Sequence, residues 1–293
     1  MDRNPRTGHV LLILVVFMWG ANVGIVKAAY DEIPPILFAA IRFTISGIFL
    51  LAITFFCEKG LRIRRADWTK VVLLGGLGLG LYQILWSVGL SLTSASNSAL
   101  ILSTQPLLGA LYVDLKKDER VEKGQYGGML IALTGVILVI LKPTVHLRVS
   151  LATLIGDLLN LLASFCGAVF FSARAKPLLR TYSPLRLMSY CMVTGSILLW
   201  MAVPFAAWSP AWGQIGKAWW SMAYAIVIGG ILGHVVWYDA IGRIGVTQTL
   251  LYQFFIPIWA VLFNHLFLGE EVSLQQILGG ALILFGVYRS LRV

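Results

Sequence analysis

Residues 119–136 read ERVEKGQYGGMLIALTGV, and residues 270–287 read EEVSLQQILGGALILFGV, 151 positions further on. Glu119 falls on Glu270, Val121 on Val272, Gln125 on Gln276, Gly128 on Gly279, and Gly135-Val136 on Gly286-Val287. The same offset carries Gly78 onto Gly229, Trp86 onto Trp237 and Pro106 onto Pro257. Near the start of each half the offset shrinks slightly, pairing Trp19-Gly20 with Cys166-Gly167 and Lys27 with Arg174. A single match in apolar sequence means little. One offset shared by Trp, Pro, Glu and several Gly marks an internal duplication, with units at 1–143 and 144–293.

The units are apolar throughout. Hydrophobic residues make up 58% of the 293 and charged residues 12%, with a mean hydropathy of +0.83. A soluble domain carries about 25% charge, so this chain faces lipid over most of its area. A bilayer core about 30 Å thick needs about 20 apolar residues per helix. That ruler gives ten spans, near 9–29, 35–56, 70–91, 96–115, 125–141, 154–174, 184–206, 218–240, 246–268 and 275–291. Backbone groups in lipid must be satisfied internally, so the spans are expected to be α-helices. Period-two alternation, the mark of a membrane barrel, is absent from runs such as Val10 to Trp19. The stretch Val10 to Ala29 is too long for a signal-peptide core and reads as the first retained helix.

Charge orients the helices. With the N-terminus inside, 18 of the 23 basic residues fall on the inner side, among them Arg62, Arg64, Arg65, Lys116, Lys117, Arg120, Arg174, Lys176 and Arg180. Lys27, Lys142, Arg148 and Lys217 fall outside, and Arg42 lies within the second span. This is the positive-inside pattern, and it puts both termini in the cytoplasm. It also accounts for the net charge of +10. A nucleic-acid surface would need a soluble basic face, and no soluble domain is expected.

Five helices is an odd number, so the second unit must insert upside down. The loop Lys116-Lys117-Asp118-Glu119-Arg120 is basic, whereas its mate Gly269-Glu270-Glu271 has lost every basic residue. Inverted repeats of this kind recur in secondary transporters, with the binding site at the repeat interface near the midplane. Here that lies between helices 1, 3, 4 and helices 6, 8, 9, leaving helices 5 and 10 to pack outside.

Polar residues within spans are costly to desolvate and are the functional candidates. Gln83 and Trp86 share a helix face at a spacing of three, and their repeat mates are His234 and Trp237. Tyr82 and Tyr238 adjoin them. This grouping suggests an aromatic pocket wall suited to flat, partly apolar solutes; the plainer alternative is an interfacial aromatic belt. Ser103, Gln105 and Pro106, with Tyr252, Gln253 and Pro257, place hydrogen-bonding groups beside prolines that loosen the preceding turn. These are either substrate contacts or packed kinks. Trp19 and Asn22 stand one turn apart and are further cavity candidates. Lys27 is expected to snorkel outward. Arg42, about two turns into its span, needs an acceptor; gating, structural pairing and substrate contact all fit it. Gly75, Gly76, Gly78 and Gly80, with Gly229, Gly230 and Gly233, allow close helix approach.

Other chemistry finds no support. Asp114, Asp157 and Asp239 sit near span ends, so a midplane carboxylate proton relay and an aspartyl-protease dyad are both disfavoured. His234 is the central titratable group, with a free-solution pKa of about 6.5; His265 reads as structural. Neither Gly-x-Ser-x-Gly nor His-Glu-x-x-His occurs, and a channel would want a polar lining or charged ring. Cys57, Cys166 and Cys191 lack metal-ligand or disulfide spacing and read as packing residues. No cofactor is implied. The expected partners are a small-molecule substrate and the lipid bilayer, with the chain a monomer or weak homodimer.

The motifs Trp19-Gly20-Ala21-Asn22, Pro34-Pro35-Ile36-Leu37-Phe38-Ala39-Ala40-Ile41-Arg42-Phe43, Pro257-Ile258-Trp259, Gly269-Glu270-Glu271 and Gly279-Gly280-Ala281 resemble the drug/metabolite transporter superfamily, in its ten-helix EamA-type branch. The resemblance covers the whole chain. Among its members, the aromatic-rich interior is most similar to bacterial aromatic amino-acid exporters. The resemblance implies a bacterial inner-membrane carrier exporting aromatic and other neutral amino acids by alternating access. A drug or nucleotide-related metabolite carrier is the alternative. The first half departs from the family's usual Gly-Glu after its fourth helix, showing Asp118-Glu119 in a charged run.

Overall fold

The computed structural model describes residues 5–30, 32–58, 60–93, 95–140, 150–205, 215–268 and 271–292. The side chains of Lys27 and Lys217, and residues Lys142, Arg148 and Glu270, lie outside the described residues. The described residues form helices and turns, with no strand among them. Helix α1 spans Pro5–Ala29. Among the described residues, nine further helices are each long and apolar enough to cross a membrane: α2 Pro35–Glu58, α3 Arg65–Leu92, α4 Asn97–Leu115, α5 Lys123–Ile140, α6 Leu151–Leu178, α7 Pro184–Phe205, α8 Ala218–Ile244, α9 Val246–Phe263 and α10 Leu274–Arg292. The chain is an all-helical polytopic membrane protein.

The outer surface shows what solvent it faces. On α2, Phe38, Ala39, Ala40, Phe43 and Leu50 are buried, while Ile48, Phe49, Phe55 and Phe56 point outward. Similar exposed apolar side chains run along α6 (Leu154, Leu158, Leu161, Leu162) and α10 (Ile277, Leu278, Leu284, Phe285). Water would not tolerate so continuous an apolar surface; hydrocarbon does.

Since lipid is as apolar as leucine, helices associate here through close packing and hydrogen bonds. Glycines make the closest contacts. Gly128 and Gly135 of α5 meet Gly286 and Gly279 of α10, in that order, so the two helices run antiparallel. Gly75 of α3 packs on Cys191 and Thr194 of α7, Gly78 on Phe171 of α6, and Gly89 on Asn160 and Gly156 of α6. Gly229 of α8 packs on Asn22 of α1, Gly20 of α1 on Trp259 of α9, and Gly109 of α4 on Leu250 of α9. Two helix starts repeat one device. Gln125 Oε1 accepts from the Glu122 N–H at 3.0 Å, and Gln276 Oε1 accepts from the Ser273 N–H at 3.0 Å. In each case a Gln three residues into the helix satisfies a terminal donor.

Near the middle of five helices the α-helical hydrogen bonding changes. The backbone widens to π-helix at Gly76–Leu81 in α3, Cys166–Ala173 in α6 and Ala225–Leu232 in α8. It tightens to 3₁₀ at Tyr252–Phe255 in α9, and a turn at Ser103-Thr104 interrupts α4. Pro106 comes after that turn at the start of the second segment of α4, and Pro257 comes after the 3₁₀ segment of α9. Each proline thus falls where a helix restarts and its missing N–H costs little. Irregular backbone at membrane depth is tolerated where protein or a cavity satisfies it, and π-helical turns cluster at functional sites.

Candidate functional site

Two groups of polar side chains lie near these irregular segments. In the first, Arg42 of α2 is buried. Its Nη2 donates to Gln83 Oε1 of α3 at 3.1 Å, and Gln83 Nε2 donates onward to Ser87 Oγ at 3.2 Å. The guanidinium lies 4.7 Å from the Phe43 ring centroid and 6.0 Å from that of Phe38. Its Nε has no hydrogen-bond partner. Among the described residues, no carboxylate forms a salt bridge with Arg42. Burying an ion costs several kcal/mol even after the protein relaxes. A ring face offsets about 0.5–2 kcal/mol of that, and a hydrogen bond to a charged group about 1.5–3 kcal/mol. The site therefore holds a partly compensated cation.

Beside it, the Phe43 ring centroid is 6.0 Å from that of His234 on α8. His234 sits in an aromatic box completed by Trp19 at 5.4 Å and Phe171 at 5.6 Å. Its Nδ1 donates to the Gly229 carbonyl at 2.8 Å, and Trp19 Nε1 donates to the same oxygen at 3.2 Å. The π-helical turn of α8 frees that carbonyl for both donors. Because a carbonyl can only accept, Nδ1 carries a proton. Asn22 Oδ1 packs against Gly229, buried and without a partner.

The second group lies on α4 and α9. Gln253 Nε2 donates to Gln105 Oε1 at 3.1 Å, and Tyr82 of α3 faces Gln105. The Tyr252 hydroxyl pairs with His9 Nδ1 of α1 at 2.8 Å.

The loops at the basic end are tied together. Glu119, between α4 and α5, accepts from Lys176 Nζ at 2.7 Å, from the Val246 N–H at 2.6 Å, and from the Thr247 N–H and hydroxyl at 3.0 and 2.7 Å. Burial pulls its carboxyl pKa upward, but Lys176 and these donors outweigh burial and hold it below the ordinary value. Gly245, with φ of 88°, makes the tight turn between α8 and α9; a Cβ there would lie 2.7 Å from Glu119 Oε1. Glu58 pairs with Arg186 at 2.8 Å and accepts from the Ser183 hydroxyl. Asp67 accepts from the Tyr182 hydroxyl at 2.8 Å. A depression of about 280 Å³ opens at this end between Leu179–Pro184 and Asp239–Arg243. It is a surface feature, walled by the Asp239–Arg243 ion pair at 2.6 Å.

A model of the EamA-like transporter family matches this chain twice, over residues 6–141 and 154–292. The chain belongs to the EamA-like transporter family. An uncharacterized transporter from Archaeoglobus fulgidus is 25% identical to this EamA-like transporter over 288 residues, covering 97% of both chains. The Bacillus subtilis uncharacterized transporter YyaM is 26% identical over 282 residues, covering 95% of this chain and 92% of that one. A protein named as a probable terminal-alkyne amino-acid exporter, from Streptantibioticus cattleyicolor, is 25% identical over 276 residues, covering 94% and 90%. A solved crystal structure shares the fold, with a TM-score of 0.81 at 18% identity over 97% of this chain and 96% of that one.

Within this EamA-like transporter the residues singled out from sequence fall into three sets. Trp19, Asn22, Gln83, Arg42 and His234 come together in the first polar group. Gln105, Gln253 and Tyr82 form the second, with Tyr252 turned toward His9. The remainder stand apart from an open lining. Trp237 and Tyr238 are fully buried: Trp237 packs 5.0 Å from Trp19 and donates to Ser172 Oγ, and Tyr238 packs 5.1 Å from Phe171. They back the box from behind. Ser103 uses its hydroxyl on the Ala99 carbonyl at 2.8 Å. Trp86 is half-buried. Sequence reasoning missed Phe43, Phe171, Tyr30, Ser87 and His9. Ser87 stood one turn after Gln83, and Phe43 stood next to Arg42, so helical spacing from the chosen residues would have found both.

Proposed function

We propose that this transporter moves small organic metabolites across the bacterial plasma membrane by alternating access, exporting amino acids, aromatic and other neutral ones, from a single site between two inverted five-helix halves. The halves are 1–143 and 144–293, with ten spans and both termini in the cytoplasm. The observation that carries the reading is the placement of polar groups. In a bundle whose outside is hydrocarbon-like, several buried hydrogen-bonding side chains, Gln83, Ser103, Gln105 and Ser172 among them, lie on or beside the segments where five helices distort near mid-span.

The packing supports inversion. Exchange of each helix with the one five places on maps the α1–α8 contact onto α6–α3, α1–α9 onto α6–α4, and α2–α7, α4–α9 and α5–α10 onto themselves. The antiparallel α5–α10 pair is what a two-fold axis in the membrane plane requires. Glu119, Glu58 and Asp67 each join residues of the two halves at the basic end, so this conformation reads as closed toward the cytoplasm. An aromatic box next to hydrogen-bonding groups suits an amino-acid side chain, and the Streptantibioticus relative is named for amino-acid export.

Purified protein in liposomes loaded with phenylalanine, tryptophan, threonine and an unrelated sugar, with and without a pH gradient, tests the reading. It predicts saturable amino-acid efflux and no sugar efflux. Amino-acid efflux equal to that of protein-free vesicles overturns it.

A further inference from the structure

We infer that Arg42 is the recognition point for a carboxylate on the transported molecule, so that the solute itself supplies the missing counter-ion of a buried guanidinium. The inference rests on the transport reading and narrows it to solutes bearing a carboxylate. Arg42 is buried with only 8% of its surface exposed. Seven residues after Pro35, it lies about 10 Å into α2 at 1.5 Å per residue. Among the described residues, the polar and aromatic groups recorded around it are neutral: the Gln83 carbonyl oxygen, the faces of Phe43 and Phe38, and the tyrosines Tyr30 and Tyr82. His234, with Nδ1 donating to the Gly229 carbonyl, presents no negative charge either.

A buried cation of this kind is ordinarily paired, because removing it from water is expensive and neutral dipoles compensate incompletely. The missing partner is not in the described chain, and Nε remains without an acceptor. Such a gap, placed between α1, α2, α3 and α8, is what a ligand-completed site requires. The guanidinium fork favours a planar anion that accepts two hydrogen bonds at once. One monovalent cation neutralises one carboxylate; a phosphate ester near two negative charges would remain charged in the bilayer. The unpartnered Asn22 Oδ1 packs against Gly229, five residues before His234, and offers an acceptor to an ammonium group. A zwitterion thus finds a donor for its carboxylate and an acceptor for its ammonium group.

Binding to detergent-purified full-length protein tests this, with three probes of one skeleton: 3-phenylpropionate, phenylalanine and phenethylamine. Both carboxylates are expected to raise the Tm of the wild type, and phenethylamine to do so only weakly. Arg42→Gln is expected to weaken phenylpropionate binding by about tenfold or more, the value of one charge-assisted hydrogen bond; Arg42→Lys should fall between. Ligand-free Arg42→Met should melt above the wild type, because it deletes an uncompensated charge. A residue serving only the fold would lower the Tm instead. Stabilisation of the wild type by phenethylamine equal to that by phenylpropionate overturns the inference without reference to any variant. Phenylalanine transport that Arg42→Gln leaves intact overturns it while sparing the transport reading. Arg42-dependent phenylpropionate binding without amino-acid flux upholds it and overturns the amino-acid reading.

Discussion

Gly128 and Gly286 face each other reciprocally: a Cβ built on either would lie 2.5 Å from the carbonyl oxygen of the other. Gly135 and Gly279 repeat the relationship one heptad away, at 2.5 and 2.7 Å. The α5–α10 contact therefore has no room for a methyl group at these positions. Gly286→Ala is expected to cost about 1–3 kcal/mol, the range for overpacking a tight contact. Gly280→Ala, which meets nothing within 4 Å, should leave the protein unchanged. Melting curves of the two variants in the same detergent check the difference.

Glu119 makes stability depend on acidity. Its folded pKa lies below the unfolded value of about 4.3, through Lys176 and the donors of Val246 and Thr247 acting against burial. A depressed carboxylate stabilises fully above the unfolded pKa, and that contribution disappears as pH falls through the folded pKa. Wild-type Tm should fall as pH drops below about 4.3, and the Glu119→Gln variant should show a shallower fall. At pH 7, Glu119→Ala should cost about 1–3 kcal/mol through the unsatisfied donors it leaves. Melting curves from neutral pH down through the carboxylate range measure both effects.

Gln105 and Gln253 are expected to be coupled. Gln105→Leu deprives Gln253 Nε2 of its acceptor at 3.1 Å and should cost about 1–3 kcal/mol. The double variant Gln105→Leu with Gln253→Leu removes both partners, so it should be less destabilised than the sum of the singles, with a coupling of about 0.5–3 kcal/mol. A double-mutant cycle on thermal or denaturant unfolding reads this directly.

His234 donates to the Gly229 carbonyl through Nδ1 and packs among the rings of the box. Phenylalanine preserves the ring and loses both polar atoms. His234→Phe is expected to keep a Tm within a few degrees of the wild type and lose about tenfold or more in flux, one to two hydrogen bonds' worth. Flux per folded molecule, corrected by size-exclusion yield, separates the two effects.

Much of this was legible in the sequence because lipid imposes simple rules. Span length, loop charge and the 151-residue offset gave helix positions within a few residues. Gln83, His234, Gln105 and Gln253 stood out because polar residues in a lipid-facing bundle have nowhere to go but inward, and Arg42 because it needed an acceptor. The hidden features depended on local backbone geometry. The π-helical turn at Ala225–Leu232 rotates the rest of α8, and His234 and Trp237 both come to pack on Trp19. No periodicity argument on an ideal helix registers that rotation. Ser103 was hidden for another reason: a serine beside a helix break can bond its own helix, and composition does not distinguish the two uses. Glu119 stood in a run of charges that departs from the family's usual Gly-Glu, and nothing in that run marked its partners. Only the fold brings the Gly245 turn to it.

A carrier with one site exposes it to one side of the membrane at a time. Trans-stimulation in proteoliposomes tests this most directly, by measuring uptake of labelled phenylalanine with and without unlabelled phenylalanine inside. Alternating access predicts saturable uptake, accelerated by internal phenylalanine, with a transient overshoot of label. Non-saturating uptake unaffected by internal phenylalanine would indicate a pore and contradict alternating access.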